Sequence, residues 1–294
     1  MKQFIILAAA LFMFSCAPKA DDGNAKAPKK DIALQLYSLR DDINKDYALT
    51  IQKVGEMGYT SVETANYDGN NRTFYGRTPA EFKKDLADNG LTMVSAHTFH
   101  GISNEALAAK DFSETSEWWD NCIDDHKAAG ASYIVCAGIG IPKTVEDLQT
   151  MCEYFNEIGK KCAAKGLKFG YHNHDYEFRK VEDQVIMLEY LIENTDPQYV
   201  TFEMDVYWVV RAGRSPVEYF KKYPGRFELL HIKDHKELGE SGMVGFDAIF
   251  KNTDISGVKQ LVVEVEQYDH APYESVKLSL DYLLNCPLVK KSYK

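Results

Sequence analysis

Three observations in the sequence predict a single-domain α/β protein built as a (β/α)8 TIM barrel. Eight apolar runs alternate with amphipathic stretches from Asp31 onward, six of the joins from helix to strand carry glycine, and one alternating face of the later runs is crowded with ionisable side chains. The chain of 294 residues is long enough for that architecture, which needs about 250. An open doubly wound sheet is the alternative, but no GxGxxG or GxxxxGKS loop follows any of the runs.

The predicted strands are Ile32–Leu39, Thr60–Ala65, Leu91–Thr98, Ser132–Gly138, Leu167–Asp175, Val200–Tyr207, Phe227–Asp234 and Gln260–Gln267. Gly58, Gly90, Gly130, Gly166, Gly225 and Gly257 precede strands, where glycine suits a left-handed helix end, and Asp196-Pro197 serves the gap in that series. Thr78-Pro79-Ala80-Glu81 and Ser215-Pro216-Val217-Glu218 each combine an N-cap, a proline in the first turn and a capping-box glutamate, so each starts a helix. The long connections Asn66–Arg77 and Lys236–Gly245 follow strands and are expected at the active face, as functional loops or lids.

Residues 1–16 read as an export signal. Lys2 is followed by an apolar run from Phe4 to Phe14, too short to span a bilayer comfortably, and then by Ser15-Cys16. That ending resembles a bacterial lipoprotein signal, which implies a lipidated Cys16 and a periplasmic or outer-membrane-anchored protein held to the membrane by acyl chains alone. Residues 17–30 are small, charged and proline-containing, and read as a flexible tether ahead of a catalytic barrel over 31–294. The net charge of -10 argues against nucleic acid or anionic lipid as the main partner.

Five further cysteines, Cys122, Cys136, Cys152, Cys162 and Cys286, form an odd set with no CxxC spacing, so the expectation is small buried hydrophobes. Cys152 and Cys162 lie ten residues apart on one predicted helix, roughly 15 Å along its axis, and cannot bridge each other.

Strand parity separates two faces. Leu34, Leu36, Val62, Phe169, Tyr171, Phe202, Met204, Val263 and Val265 form the apolar one. The other holds Gln35, Tyr37, Glu63, Ser95, His97, His172, His174, Glu203, Asp205, His231, Lys233, Glu264 and Glu266. A lone strand histidine is more often a hydrogen-bonded core residue than a ligand. Several strands ending in His, Asp or Glu are hard to explain as packing, since burying charge without partners is costly. The mixture suits one divalent cation, Zn, Mn, Co or Fe. Gln35, Tyr37, Glu63 and His97 are candidates for substrate hydroxyls, and Trp208 for stacking on substrate, while Trp118 and Trp119 read as core. His126, His235 and His270 are expected at the surface, with a loop contact to substrate the lesser alternative for His100.

The runs Gly166-Leu-Lys-Phe-Gly-Tyr-His-Asn-His174, Glu203-Met-Asp205, His231-Ile-Lys-Asp234 and Val262-Val-Glu-Val-Glu266 resemble the xylose isomerase-like barrel superfamily of sugar isomerases, epimerases and inosose dehydratases. The resemblance implies one divalent cation bound by a Glu, an Asp, a His and a second Glu, of which Asp205, His231 and Glu264 match by position. The first ligand departs from the pattern: His172 stands there, within a His-Asn-His run closer to the inosose dehydratase branch, with Glu177 as an alternative carboxylate from the next loop.

The chemistry implied is proton abstraction beside a sugar carbonyl through an enediolate, with His174 or Glu266 as base, Lys233 polarising the carbonyl or protonating a leaving oxygen, and Glu203 orienting a ligand from a deeper position. Lys233 can equally be an ion-pair partner of Asp234 or Glu264. Arg211 and Arg214 can hold a phosphate, although export favours neutral keto sugars or keto-glycosides. Isomerase or epimerase leads. A lyase or dehydratase releasing water or an aglycone, and a sugar-binding lipoprotein without turnover, are the alternatives.

Overall fold

The computed structural model describes residues 29–293; the segments expected to be an export signal with Cys16 and, up to residue 28, a tether lie outside the described residues. Eight short parallel strands line the barrel: β1 Ile32–Gln35, β2 Ser61–Thr64, β3 Thr92–Ala96, β4 Tyr133–Cys136, β5 Lys168–His172, β6 Val200–Asp205, β7 Leu229–Ile232 and β8 Gln260–Val263. Hydrogen bonding runs in chain order from β3 through β1 and β8 round to β4. The seam between β3 and β4 is closed by a single parallel bridge from His97 to Val135, flanked by backbone bonds from Thr98 N to Val135 O and Ser132 N to Val94 O, both 2.9 Å. Among the described residues no helix is long and apolar enough to cross a membrane.

The strands stop earlier than their apolar runs, because polar side chains at their ends cap the segment after them. Gln35 ends β1 by accepting from Tyr37 N, and the chain turns at once into a 3-10 helix, Leu36–Leu39. Tyr37 therefore leaves the lumen and is 44% exposed. Asp205 likewise ends β6 by accepting from Tyr207 N and Trp208 N, the start of a helix over Val206–Arg211.

All six expected glycines have positive φ. At Gly257 there is a second reason for glycine, since a Cβ would lie 2.7 Å from the Gly225 backbone. The Thr78 capping box forms completely, whereas at Ser215 only the bond from Glu218 N to the serine oxygen is present. Outward strand residues such as Leu34, Val62, Phe169 and Val263 are fully buried beneath the helices. The five cysteines of the described residues are buried and form no disulfide with one another, as their lack of spacing motifs implies. Packing begins one residue inside the expected tether: Lys30 is buried, and its ammonium donates to the carbonyls of Leu283 at 2.8 Å and Cys286 at 2.6 Å.

His126 corrects the surface expectation. It is buried, donating from Nδ1 to the Cys122 carbonyl at 2.7 Å and facing the Thr98 hydroxyl with Nε2 at 3.3 Å. Burial lowers its pKa to about 4, so it is a neutral core histidine. The stripe Trp119, Cys122, Ile123, His126 at helical spacing carried that information. The Asn66–Arg77 connection is tied down: Arg72 binds Asp125 through two bonds of 2.9 and 2.7 Å, Tyr67 donates to the same carboxylate, and Phe74 is fully buried. Trp118 covers Gly69, and the His100 ring stacks on Trp118 at 4.5 Å, which occupies the face that a substrate contact would need.

Candidate metal centre

His172 is the last residue of β5 and Asp205 the last of β6, His231 lies inside β7, and Glu264 follows β8. Asp205 pairs in register with His231, which fixes them side by side across neighbouring strands. All four are buried, and each offers one ligand atom, the set lying within 4.8 Å of one another. His172 Nε2 is 3.5 Å from Asp205 Oδ2, and His231 Nδ1 is 3.9 Å from Asp205 Oδ2 and 3.5 Å from Glu264 Oε2. Ligand atoms bonded at about 2.0–2.2 Å around a tetrahedral cation stand roughly 3.3–3.6 Å apart.

The same atoms are short of partners. Both nitrogens of His172, Oδ2 of Asp205 and Nδ1 of His231 are buried without a hydrogen bond. Leaving such groups unmet costs about 1–3 kcal/mol each. A divalent cation would satisfy Asp205 Oδ2, His231 Nδ1 and one nitrogen of His172 together, and two imidazoles with two carboxylates suit Zn, Mn, Co or Fe. The residues therefore fit the ion.

Burial pushes the Asp205 carboxyl up to about 6 against the pull of Lys233 and His231. Burial, with His231 and His97 nearby, holds His172 well below its usual range, so it stays a neutral donor. Burial opposes charge on Glu264 too, but Lys233 and His231 outweigh it and lower its pKa. Lys233 is buried over the Trp208 ring at 4.9 Å and bonds Glu264 at 2.9 Å and Glu266 at 2.8 Å.

Beneath this cluster lies a second polar layer. Glu63 accepts from His231 Nε2 at 2.7 Å, from Gln35 Nε2 at 2.7 Å and from Ser95 Oγ. His97 Nε2 sits 2.7 Å from Glu203 and 3.1 Å from Glu63. Gln35 and Glu63, expected at substrate hydroxyls, are instead fully buried and bonded to each other. Parity reports which face a side chain takes, not how deep it sits. His97, His172, Glu203 and His231 also group closely, but His231 Nε2 is taken by Glu63 and His97 by Glu203.

Other expected contacts are also redirected. Glu177 stands outside the cluster, accepting from Tyr171 OH and from His174 N, both at 2.8 Å, and His172 is the residue grouped with Asp205, His231 and Glu264. His174 stacks on Tyr176 at 5.4 Å and lies 5.6 Å from Trp208. Trp208 presents its ring to Lys233 and to Arg211, at 4.9 and 5.2 Å.

Two contributors escaped sequence reasoning. Asn173 brackets Asp205 through its backbone, accepting from Asp205 N at 3.2 Å and donating to Asp205 O at 3.4 Å; its place between two histidines was the available signal. Arg40 bonds Tyr268 OH at 3.0 Å and Tyr37 O at 3.2 Å, from a helix where strand parity carries no signal.

A family model described as a xylose isomerase-like TIM barrel matches residues 51–286. An inosose dehydratase of Bacillus cereus (strain AH820) is 26% identical over 260 residues, covering 74% of this chain and 81% of that protein. A crystal structure described as a sugar phosphate isomerase/epimerase from Parabacteroides distasonis is 31% identical with a TM-score of 0.82, over 94% of this chain and all of that one. A more distant barrel, IolI, solved with a zinc atom, is 14% identical with a TM-score of 0.68 over 89% of this chain and 99% of that one, a likeness of fold alone.

Proposed function

The chain belongs to the xylose isomerase-like TIM-barrel family, an enzyme family, and from that premise we propose that it is a divalent-metal-dependent sugar isomerase or epimerase acting by proton abstraction beside a carbonyl. The observation that carries this reading is the set of unpartnered atoms on His172, Asp205 and His231 at cation-ligand spacing. The cation, when bound, would stabilise negative charge developing on the substrate's carbonyl oxygen.

The protein's own groups supply the rest. Glu266 is one-third exposed and reaches the mouth, where it takes the proton, while Lys233 fixes its carboxylate and stands ready to donate to a substrate oxygen. Trp208 holds Lys233 in place through its ring face. His174, 30% exposed and beyond Trp208, is the second candidate base. An uncharged substrate, a keto sugar or keto-glycoside, suits this mouth because its cations are engaged. Lys233 pairs with Glu264 and Glu266, Arg211 lies 3.6 Å from Asp175, and Arg40 is held by Tyr37 and Tyr268.

A second reading, a lyase or dehydratase releasing water or an aglycone, is favoured by His172 in the first ligand position and by the inosose dehydratase relative. Export and lipidation at Cys16 belong to the same proposal, checked by mass spectrometry of the mature amino terminus. Keto sugars and keto-glycosides incubated with protein in deuterated water, with and without chelator, decide between the readings. Chelator-sensitive deuterium uptake with an intact skeleton supports the isomerase, and a released aglycone or water supports the lyase. Neither exchange nor elimination, with any substrate tried, overturns both.

A further inference from the structure

We propose that Glu63 is the positioning residue that presents Nδ1 of His231 to the cation, an inference that rests on the reading of the cluster as a metal centre. A neutral imidazole carries one N–H, and a carboxylate can only accept, so the 2.7 Å contact between Glu63 and His231 Nε2 puts the hydrogen on Nε2. The lone pair is left on Nδ1, the atom that has no partner and faces Asp205 and Glu264.

Glu63 is itself held still. It is fully buried on β2, Gln35 donates to it from β1 and Ser95 from β3, and His97 closes a fourth side at 3.1 Å. Three early strands thus converge on one carboxylate that reaches across the lumen to a histidine on β7. Glu203 lies 3.4 Å from the same nitrogen, but its nearer contact is with His97 at 2.7 Å. Among the described residues no other group competes for Nε2 at comparable distance, so the direction of His231 depends on Glu63.

The test compares the full-length wild type with Glu63→Gln, Glu63→Asp and Ser95→Ala, the last loosening Glu63 without touching His231. Two quantities are read: Co2+ and Zn2+ dissociation constants by calorimetry, and, in the zinc-loaded proteins, which His231 nitrogen bears hydrogen by 15N correlation spectra. The expected result is affinity about ten- to hundredfold weaker in Glu63→Gln, partial recovery in Glu63→Asp, a smaller loss in Ser95→Ala, and a proton on Nε2 in the wild type. Should Glu63→Gln fail to fold, a loss of affinity in Ser95→Ala still supports the inference, and wild-type affinity there overturns it. A folded Glu63→Gln protein with wild-type affinity and an unchanged Nε2–H signal overturns this inference alone. Wild-type protein that takes up neither cation overturns the functional reading and the inference with it.

Discussion

Two layers of the barrel lumen, stacked one on the other, are equally buried and equally rich in ionisable groups, yet they differ in how well those groups are satisfied. In the lower layer Gln35, Glu63, Ser95, His97 and Glu203 are knit together, with Oε1 of Glu203 the one carboxylate oxygen left over. In the upper layer both nitrogens of His172, Oδ2 of Asp205 and Nδ1 of His231 are unmet. Buried charge alone therefore does not mark a site. An unmet hydrogen-bonding capacity, shared by atoms a ligand-bond length from a common point, does.

The largest effect should come from cutting the lower layer. Glu203→Ala strips His97 of its 2.7 Å partner inside the core, leaving it the longer contact to Glu63, and urea unfolding of metal-free protein should lose about 1–3 kcal/mol. A loss below 1 kcal/mol would erase the distinction between the layers. Asp205→Asn in the upper layer should do the reverse, since the amide oxygen can keep the cap on Tyr207 N and Trp208 N while the unmet charge is removed. Cation affinity should fall by more than the roughly hundredfold expected of a supporting residue, while the metal-free protein melts no lower. A clear drop in metal-free melting temperature would show the upper layer to be structural as well.

Proton competition sharpens the contrast further. Asp205, pushed up to about 6 by burial, must be deprotonated to ligate, so affinity should rise with pH by up to about tenfold per unit below that value. Glu203 and Glu63 raise His231 against its burial, so a second proton must be displaced and the rise should continue above it. Calorimetry in buffers of different ionisation enthalpy counts the protons released, and an affinity that is flat with pH speaks against both groups as ligands. The smallest effect belongs to the mouth: Trp208→Phe keeps an aromatic face for Lys233 at about 0.5–1 kcal/mol less, a few-fold lower turnover with unchanged cation affinity.

Much of the fold was legible because its punctuation is local. Glycine at Gly58 or Gly130 and the Thr78 cap follow from backbone geometry within a few residues. Strand length was not, since Gln35 and Asp205 end their strands by capping the next element, a choice that hydropathy does not encode. The face on which His172, Asp205, His231 and Glu264 meet was visible in alternation. Depth was not, because Glu63 and Glu264 look alike in sequence and are separated only by the neighbours the closed barrel brings: His231, Gln35 and Ser95 for one, Lys233 for the other. His126 went astray for the same reason, its Thr98 neighbour lying on another element.

The anchorage of Lys30 against the carbonyls of Leu283 and Cys286 has a consequence for orientation. It pins the point where the chain enters β1, at the pole of the cylinder opposite the cation cluster. The first described residues and the end of the last helix thus stitch one pole of the barrel together, and the ligand atoms face the other, so solutes reach them from the unfastened end.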